Sequence, residues 1–410
     1  MIDITDTRNC AGCEACVNRC PKHCISMKAD VEGFLYPVVD KTTCIDCGLC
    51  EIVCPITNLA ESSKPLQVLA TINTDNSIRK ESSSGGVFTP LAEKIINEKG
   101  VVFGVRFDEN WQVVFDYTET LEGLTAYRGS KYVQATINNA YQKCEQFLKE
   151  GRWVLFTGTP CQVSALKLYL KKEYSNLITA DFACHGAPSR EVWSRYLEEE
   201  IENHKTAQRV VVGKSTVSSS LNLMSLIEDI KFREKSDGWK KFRFVLKFDE
   251  PSGDVEKSSV LSSIHYLNPY FQAFNTGVLL RPSCYVCKIK NACRSHADIT
   301  MADFWGISEV DSTFDDDKGT SLILLNTEKG VSFFNNITLR QRSFSYDIAL
   351  KYNEGLREGS YYHPRRDFFF SNFPNTKSVI ALLKESQIPT LSMQISRYKN
   401  AIVRRIKKLL

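Results

Sequence analysis

Two stretches near the start decide the fold of the first part of the chain. They are Cys10-Ala-Gly-Cys-Glu-Ala-Cys-Val-Asn-Arg-Cys-Pro21 and Cys44-Ile-Asp-Cys-Gly-Leu-Cys-Glu-Ile-Val-Cys-Pro55. Each reads C-x2-C-x2-C-x3-C-P, and the second copy begins 34 residues after the first. Three thiols on one tight loop can face a single compact metal cluster. The proline after each fourth cysteine fixes the backbone there. Gly12 and Gly48 suit close approach of backbone amides to sulfur. A pair of zinc knuckles is the plain alternative, but zinc sites are usually built from two cysteine pairs rather than four-cysteine runs closed by Cys-Pro.

Outward from these runs, composition bounds the rest. The 410 residues are 43% hydrophobic and 24% charged. That is an ordinary globular composition, which excludes a wholly disordered, collagenous or coiled-coil protein. At roughly 150 residues per domain there is room for two or three domains. The net charge of +4 is too small to point to nucleic acid, and no nucleic-acid partner is expected. No run approaches the roughly 18 apolar residues of a membrane helix. The first residues carry no apolar signal segment, so a cytoplasmic location is expected. Nine of the fifteen cysteines lie within the first 54 residues. In a reducing compartment such clustering points to metal or redox chemistry rather than to disulfides.

The duplicated run resembles that of the bacterial two-cluster ferredoxins, in which the fourth cysteine of each run serves the other cluster. The resemblance implies two 4Fe-4S clusters. One would be held by Cys10, Cys13, Cys16 and Cys54, the other by Cys44, Cys47, Cys50 and Cys20. Cys24 falls outside the pattern and reads as a small buried hydrophobe. The segment from Gly33 to Val39 alternates like a short strand. Residues 1–60 hold five Lys/Arg and eight Asp/Glu, a mildly acidic module. An α+β ferredoxin-like dicluster domain is expected over 1–60, acting as an electron relay.

Residues 58–66 are polar, include Pro65 and read as a linker. Beyond it, strand patterns at Val68–Ile72, Val101–Phe107, Val113–Tyr117, Trp153–Thr157, Leu177–Ala183 and Leu322–Leu325 alternate with helical periodicity over 86–99, 137–150, 161–173 and 189–204. The alternation predicts an α/β body over 67–340. Within it, 208–262 reads as an antiparallel β insertion containing the low-complexity run Ser218-Ser-Ser220. Residues 341–410 are expected to be helical. Their last twenty, 391–410, carry six Lys/Arg and no acid, with Ile395, Tyr398, Ile402, Ile406 and Leu409 at helical spacing. Such a basic amphipathic tail can lie on an anionic membrane face, giving peripheral contact at the inner leaflet, or dock a partner. A terminal helix packed on the body is the plain alternative.

Four segments of the body carry chemistry. Ser82-Ser-Ser-Gly-Gly-Val-Phe88 is a small-residue loop opening a helix, suited to a flavin or nucleotide pyrophosphate, or simply a Ser N-cap. Arg128-Gly-Ser-Lys-Tyr132 offers a cation, a hydroxyl and an aromatic ring. Thr157-Gly-Thr-Pro-Cys161 and Asp181-Phe-Ala-Cys184-His185 each follow an apolar strand, which puts both cysteines at the ligand-binding edge of a parallel sheet. Arg281-Pro-Ser-Cys284-Tyr-Val-Cys287 is half a metal site, which Cys161 and Cys184 can complete, with Cys293 as a rival ligand and zinc as the alternative metal.

Seven stretches in this order resemble the coenzyme F420 hydrogenase/dehydrogenase beta-subunit family. They are SSGGVFTPLA (83–92), GSKYVQA (129–135), GTPCQVSALK (158–167), CHGAPS (184–189), RPSCYVCKIK (281–290), ADITMADFWGI (297–307) and DDKGTSLILLNT (316–327). The resemblance implies an FAD near Ser83, Ser84, Gly85, Gly86, Ser130, Lys131 and Tyr132, with Gly158 and Thr159 beside it. It also implies a third 4Fe-4S cluster on Cys161, Cys184, Cys284 and Cys287. Cys293 departs from the pattern. The function expected is an iron–sulfur flavoprotein oxidoreductase passing electrons to a redox partner protein or a reducible small molecule. Rival readings are a coenzyme F420-specific oxidoreductase, an electron-transfer subunit without its own substrate, and a reductase of surface-polysaccharide synthesis.

Lys131 and Lys318 are candidates for stabilising phosphate or reduced flavin, and His185 for donating a proton or a hydrogen bond to sulfur. Asp303 reads as a buried, hydrogen-bonded acid and Trp305 as a core indole. No role falls to His23, His204, His265, His296 or His363.

Overall fold

The computed structural model describes residues 1–212, 223–250, 257–290, 293–357 and 359–389. The basic tail 391–410 and the Ser218–Ser220 run lie outside the described residues.

The cysteine-rich module is built round a two-stranded antiparallel ribbon, β1 (Ile25–Ala29) and β2 (Leu35–Val39), with Ile25 opposite Val39. Two short helices, Ala15–Arg19 and Leu49–Ile52, carry the third cysteine of each run, Cys16 and Cys50.

The body is organised by an eight-stranded mixed sheet. Its strands are β3 (Gln67–Ile72), β4 (Val101–Phe107), β5 (Val113–Thr118), β6 (Val154–Thr157), β7 (Leu177–Phe182), β11 (Ile299–Asp303), β12 (Ser321–Leu325) and β13 (Arg340–Ser343). Their order is β13-β3-β12-β11-β7-β6-β4-β5. The pairs β4–β6, β6–β7 and β7–β11 are parallel, while β5, β12, β3 and β13 join antiparallel. Apolar residues on successive positions explain the central strands, because both faces are covered. Val101 and Phe103 of β4 point into one core cluster and Val102 into another, and Val154 and Phe156 of β6 do the same against Leu155. The helices Phe88–Asn97, Ala140–Lys149 and Pro160–Leu170 fall where helical periodicity predicts them.

The expected antiparallel insertion is a three-stranded sheet, β8 (Ile227–Glu234), β9 (Arg243–Glu250) and β10 (Lys257–Ile264), with β9 central. Its Phe232, Phe244 and Phe248 join Trp193, Tyr196 and Tyr270 in the larger core. Strand β11 has no counterpart among the strands expected from sequence. Its Asp298-Ile-Thr-Met-Ala-Asp303 pattern is broken by polar residues whose partners lie on other strands. The carboxylate of Asp298 accepts from the backbone and hydroxyl of Thr179 at 2.8 Å each, and the Thr300 hydroxyl donates to Asp181 at 2.5 Å.

The cysteine module is tied to the body. Cys10, Cys13, Ala15 and Phe34 belong to the main core cluster. A buried ion pair joins Arg366, on the helix Arg366–Asn372, to Glu32 in the β1–β2 turn, at 2.9 and 2.5 Å. Among the described residues, no helix is long and apolar enough to cross a membrane.

Candidate functional site: three sets of four thiols and a cationic cleft

The two cysteine runs form two separate cavities. One is lined by Cys10, Cys13, Cys16 and Cys54. The other is lined by Cys20, Cys44, Cys47 and Cys50. The fourth cysteine of each run thus stands with the first three of the other. Backbone N–H groups point at sulfur, from Ile2 to Cys50 at 3.3 Å and from Asp46 to Cys44 at 3.4 Å. Cys24, expected to be a bystander, also lines the second cavity, with its sulfur 3.3 Å from that of Cys20.

The donor set can be tested against the groups it would hold. Among the described residues, no three His, Cys, Asp or Glu side chains close on one metal ion. Four thiols instead stand round the first cavity, and four with Cys24 as a fifth round the second. A cubane puts four irons between its thiolates, so its ligands stand wider apart than those of a single zinc. An all-sulfur donor set with amide N–H groups on sulfur fits a 4Fe-4S cluster.

A third set of thiols gathers in the body. Thr159 caps the helix Pro160–Leu170 through a reciprocal pair with Gln162, and this places Cys161 in the first turn after β6. Cys184 follows β7, the neighbouring parallel strand. Cys284 lies on the short helix Pro282–Tyr285 and receives the Ala187 N–H at 3.3 Å. Cys161, Cys184, Cys284 and Cys287 all act on one another electrostatically. Burial pushes the Cys161 thiol up to about 12, so without a cation this thiol is protonated. Metal ligation reverses that preference. Cys293 lies elsewhere, in an apolar cluster with Trp239, Phe304 and Leu322.

Two residues given no role by the sequence, Tyr141 in a helix and Arg281 at the head of the Cys284–Cys287 motif, join the first cavity to this third set. The Tyr141 hydroxyl, wholly buried, lies 3.0 Å from the Cys13 carbonyl and 3.3 Å from that of Gln162, next to Cys161. Arg281, three residues before Cys284, donates from Nε to the Cys10 carbonyl at 2.6 Å and from Nη2 to the Leu35 carbonyl at 2.9 Å.

The small-residue loop meets the Arg128–Tyr132 segment, as expected. Ser83 Oγ accepts from the Ser130 N–H at 2.7 Å, and Arg128 Nε donates to Thr89 Oγ1 at 3.1 Å. Other loop groups are engaged internally. Ser84 Oγ donates to the Thr320 carbonyl and the Gly85 N–H to Ser321 Oγ, both at 3.0 Å. Gly158 and Thr159 make their contacts with Gln162 and Cys161, on the thiol side. Loss of water pulls the Lys131 ammonium down to about 8, with its Nζ over the Phe107 ring at 5.8 Å. Lys318 is exposed. His185 is spent structurally: its Nε2 must carry the proton to reach the Phe274 carbonyl at 3.0 Å, and burial lowers its pKa.

Arg233, which lies in none of the sequence motifs, is a buried cation with unused hydrogen-bond donors. It pairs through Nη1 with Asp303 at 2.6 Å, yet its Nε and Nη2 have no hydrogen-bond acceptor. Buried N–H groups without a partner are costly, and an anionic ligand would satisfy them. That fits the phosphates of a flavin nucleotide. Nearby Lys235 is closed by three carbonyls, those of Arg79, Ser84 and Lys318. Trp305 corrects its expectation: it is 43% exposed and stacks on Trp239 at 4.6 Å instead of lying in the core.

Comparison with known proteins matches three parts of the chain. Residues 9–58 match the 4Fe-4S dicluster domain. Residues 68–142 match the coenzyme F420 hydrogenase/dehydrogenase beta subunit N-terminal region, and 151–344 match its C-terminal region. The chain belongs to that family. A subunit of the F420H2 dehydrogenase of Methanosarcina mazei is 24% identical over 177 residues, 39% of this chain and 48% of that protein. An uncharacterized protein of Methanocaldococcus jannaschii is 27% identical over 200 residues, 42% of this chain and 55% of that protein. The chain thus spans about half the length of these relatives. A solved F420-reducing NiFe hydrogenase complex from Methanosarcina barkeri aligns with TM-score 0.45 and 16% identity, covering 72% of this chain and 90% of that one. That likeness is too loose to carry weight. The family and the dicluster domain together make this an iron–sulfur, oxidoreductase-type electron-transfer protein.

Proposed function

We propose that the chain is an iron–sulfur flavoprotein oxidoreductase. It would carry two 4Fe-4S clusters in the cysteine module, a third on Cys161, Cys184, Cys284 and Cys287, and an FAD beside Ser83, Ser130, Lys131 and Tyr132. Bound FAD would supply the exchange between two-electron hydride chemistry and the single electrons that such clusters carry. The observation that carries the reading is Tyr141, whose one hydroxyl reaches both the Cys13 carbonyl and the carbonyl beside Cys161. The protein's own work is to hold the thiol sets in fixed relation and keep water out. Buried Cys10, Cys13, Cys16 and Cys54 serve that end, while Arg233 would take a phosphate.

Anaerobic purification with iron, sulfide and flavin quantification tests this. About twelve irons and one FAD per chain are expected from three four-iron clusters. About eight irons and no flavin would overturn the reading.

The name of the Methanosarcina mazei relative, part of an F420H2 dehydrogenase, favours a narrower version. The chain would then take electrons from reduced coenzyme F420 as one subunit of a complex. Reoxidation of that coenzyme by the purified chain, followed by absorbance, checks the donor. Its failure leaves the flavin and iron counts to stand alone.

A further inference from the structure

We infer that Arg281 is a positioning residue and shared counter-charge for two of the three thiol sets, the Cys10–Cys13–Cys16–Cys54 cavity and the Cys161–Cys184–Cys284–Cys287 set. The inference rests on the ligation proposed above.

Among the described residues, four arginines are buried: Arg79, Arg233, Arg281 and Arg366. Three have a carboxylate, namely Asp316 for Arg79, Asp303 for Arg233 and Glu32 for Arg366. Arg281 is the most deeply buried, at 0% exposure, and among the described residues no carboxylate stands within ion-pair distance of it. Its acceptors are neutral: the carbonyls of Cys10 and Leu35, and Gln134 Oε1 at 3.3 Å. The Tyr36 ring covers it at 4.1 Å. A guanidinium does not lose its proton in a protein. The buried Glu14 carboxyl feels this charge only from beyond ion-pair distance, and a buried cation with no opposite charge in contact is unfavourable, so the arrangement calls for an anion close by.

Thiolate-held clusters supply one on each side. Arg281 grips the backbone of Cys10 with its side chain, and its own carbonyl accepts the Cys284 N–H at 2.9 Å. One-electron reduction adds one negative charge to a cluster and moves no proton to or from Arg281. A fixed cation therefore favours the reduced form of both clusters, and charge and hydrogen bonding are among the terms that set such potentials. Arg281 donates to Cys10, which lines the first cavity, but to no residue lining the cavity of Cys20, Cys44, Cys47 and Cys50, whose own cations are the exposed Lys22 and the Met1 amino group. That second cavity is the internal control.

The test uses the full chain, loaded anaerobically with iron and sulfide and titrated with dithionite while the EPR signals are followed. Arg281→Gln should lower the potentials of the two clusters beside it, shifting their reduction equilibria about tenfold, or ~59 mV for one electron. The cluster in the control cavity, assigned by loss of its signal in Cys47→Ser, should not move. Arg281→Lys keeps the charge and should recover part of the shift. If Arg281→Gln does not retain iron, Arg281→Lys carries the test with the same unequal shift at smaller size. Equal shifts in all three clusters, or none, overturn the role of Arg281. A wild-type iron count below about twelve overturns the ligation reading and this inference with it, which separates the two failures.

Discussion

The two cysteine runs share one spacing and are opposites in setting. In the first, Cys10, Cys13 and Cys16 are buried, with Tyr141, Gln134 and Arg281 behind them. In the second, Cys47 is exposed and Cys44 half-buried. The residue two places after each first cysteine records the difference. Gly12 and Asp46 both have left-handed backbone, with φ of 66° and 49°. At Gly12 a Cβ would lie 2.2 Å from Gln134 Nε2 and 2.9 Å from Arg281 Nη1. Asp46 carries a side chain that is 79% exposed. The shared motif arranges the thiols. The residues between them decide which copy can lie against the body.

The sharpest way to break this comparison is Gly12→Ala. The methyl has no room between Gln134 and Arg281, and Ala is disfavoured at positive φ. Overpacking costs ~1–3 kcal/mol and the backbone about 1–2 more, so a loss of about 3 kcal/mol is expected. Anaerobic denaturant unfolding measures it, with iron content as a second readout. A loss below ~0.5 kcal/mol would mean the first run is not seated as described.

Tyr141→Phe is the intermediate case. It deletes a hydroxyl from a wholly buried site and leaves the Cys13 carbonyl without that donor. A buried acceptor stripped of its partner costs roughly 1–3 kcal/mol, and about 1.5 kcal/mol is expected because no cavity larger than the lost oxygen is made. Thermal unfolding of the loaded protein checks the stability. Slower reduction of the third cluster by dithionite, with unchanged iron content, would tie Tyr141 to electron passage as well as to packing.

Local pattern carries much of this in the sequence. The duplicated spacing groups eight cysteines, because each ligand set is defined by short loops and one crossing residue. Apolar runs mark β4, β6, β7 and β12, since strands covered on both faces are continuously apolar. What escapes is every feature whose partner is distant. Strand β11 hides behind Asp298 and Thr300, which are satisfied by residues 119 positions away. The bond from Arg281 to Cys10 spans 271 positions and that from Tyr141 to Cys13 spans 128. Arg233 looks like any charged residue in an exposed strand; only its two unpartnered N–H groups mark it. Trp305 misleads because an indole in an apolar stretch reads as core, whereas Trp239 offers it a ring to stack on at the surface.

The smallest effect expected is at the matching position of the second run. Asp46→Gly gives that loop the glycine that the first run has two places after its leading cysteine. It relieves a non-glycine residue from left-handed backbone, which favours the variant. It also removes an exposed ion pair with the amino terminus at 3.1 Å, and such pairs contribute only ~0–1 kcal/mol. The two terms oppose each other, so the net change in unfolding free energy should lie within ~0.5 kcal/mol. Asp46 and its neighbour Cys47 are both exposed, so iron content should not change either. A loss as large as that at Gly12 would show that both runs depend on their second loop residue in the same way. The contrast between a seated copy and an open one would then fail, and with it the reason for assigning Arg281 to one copy alone.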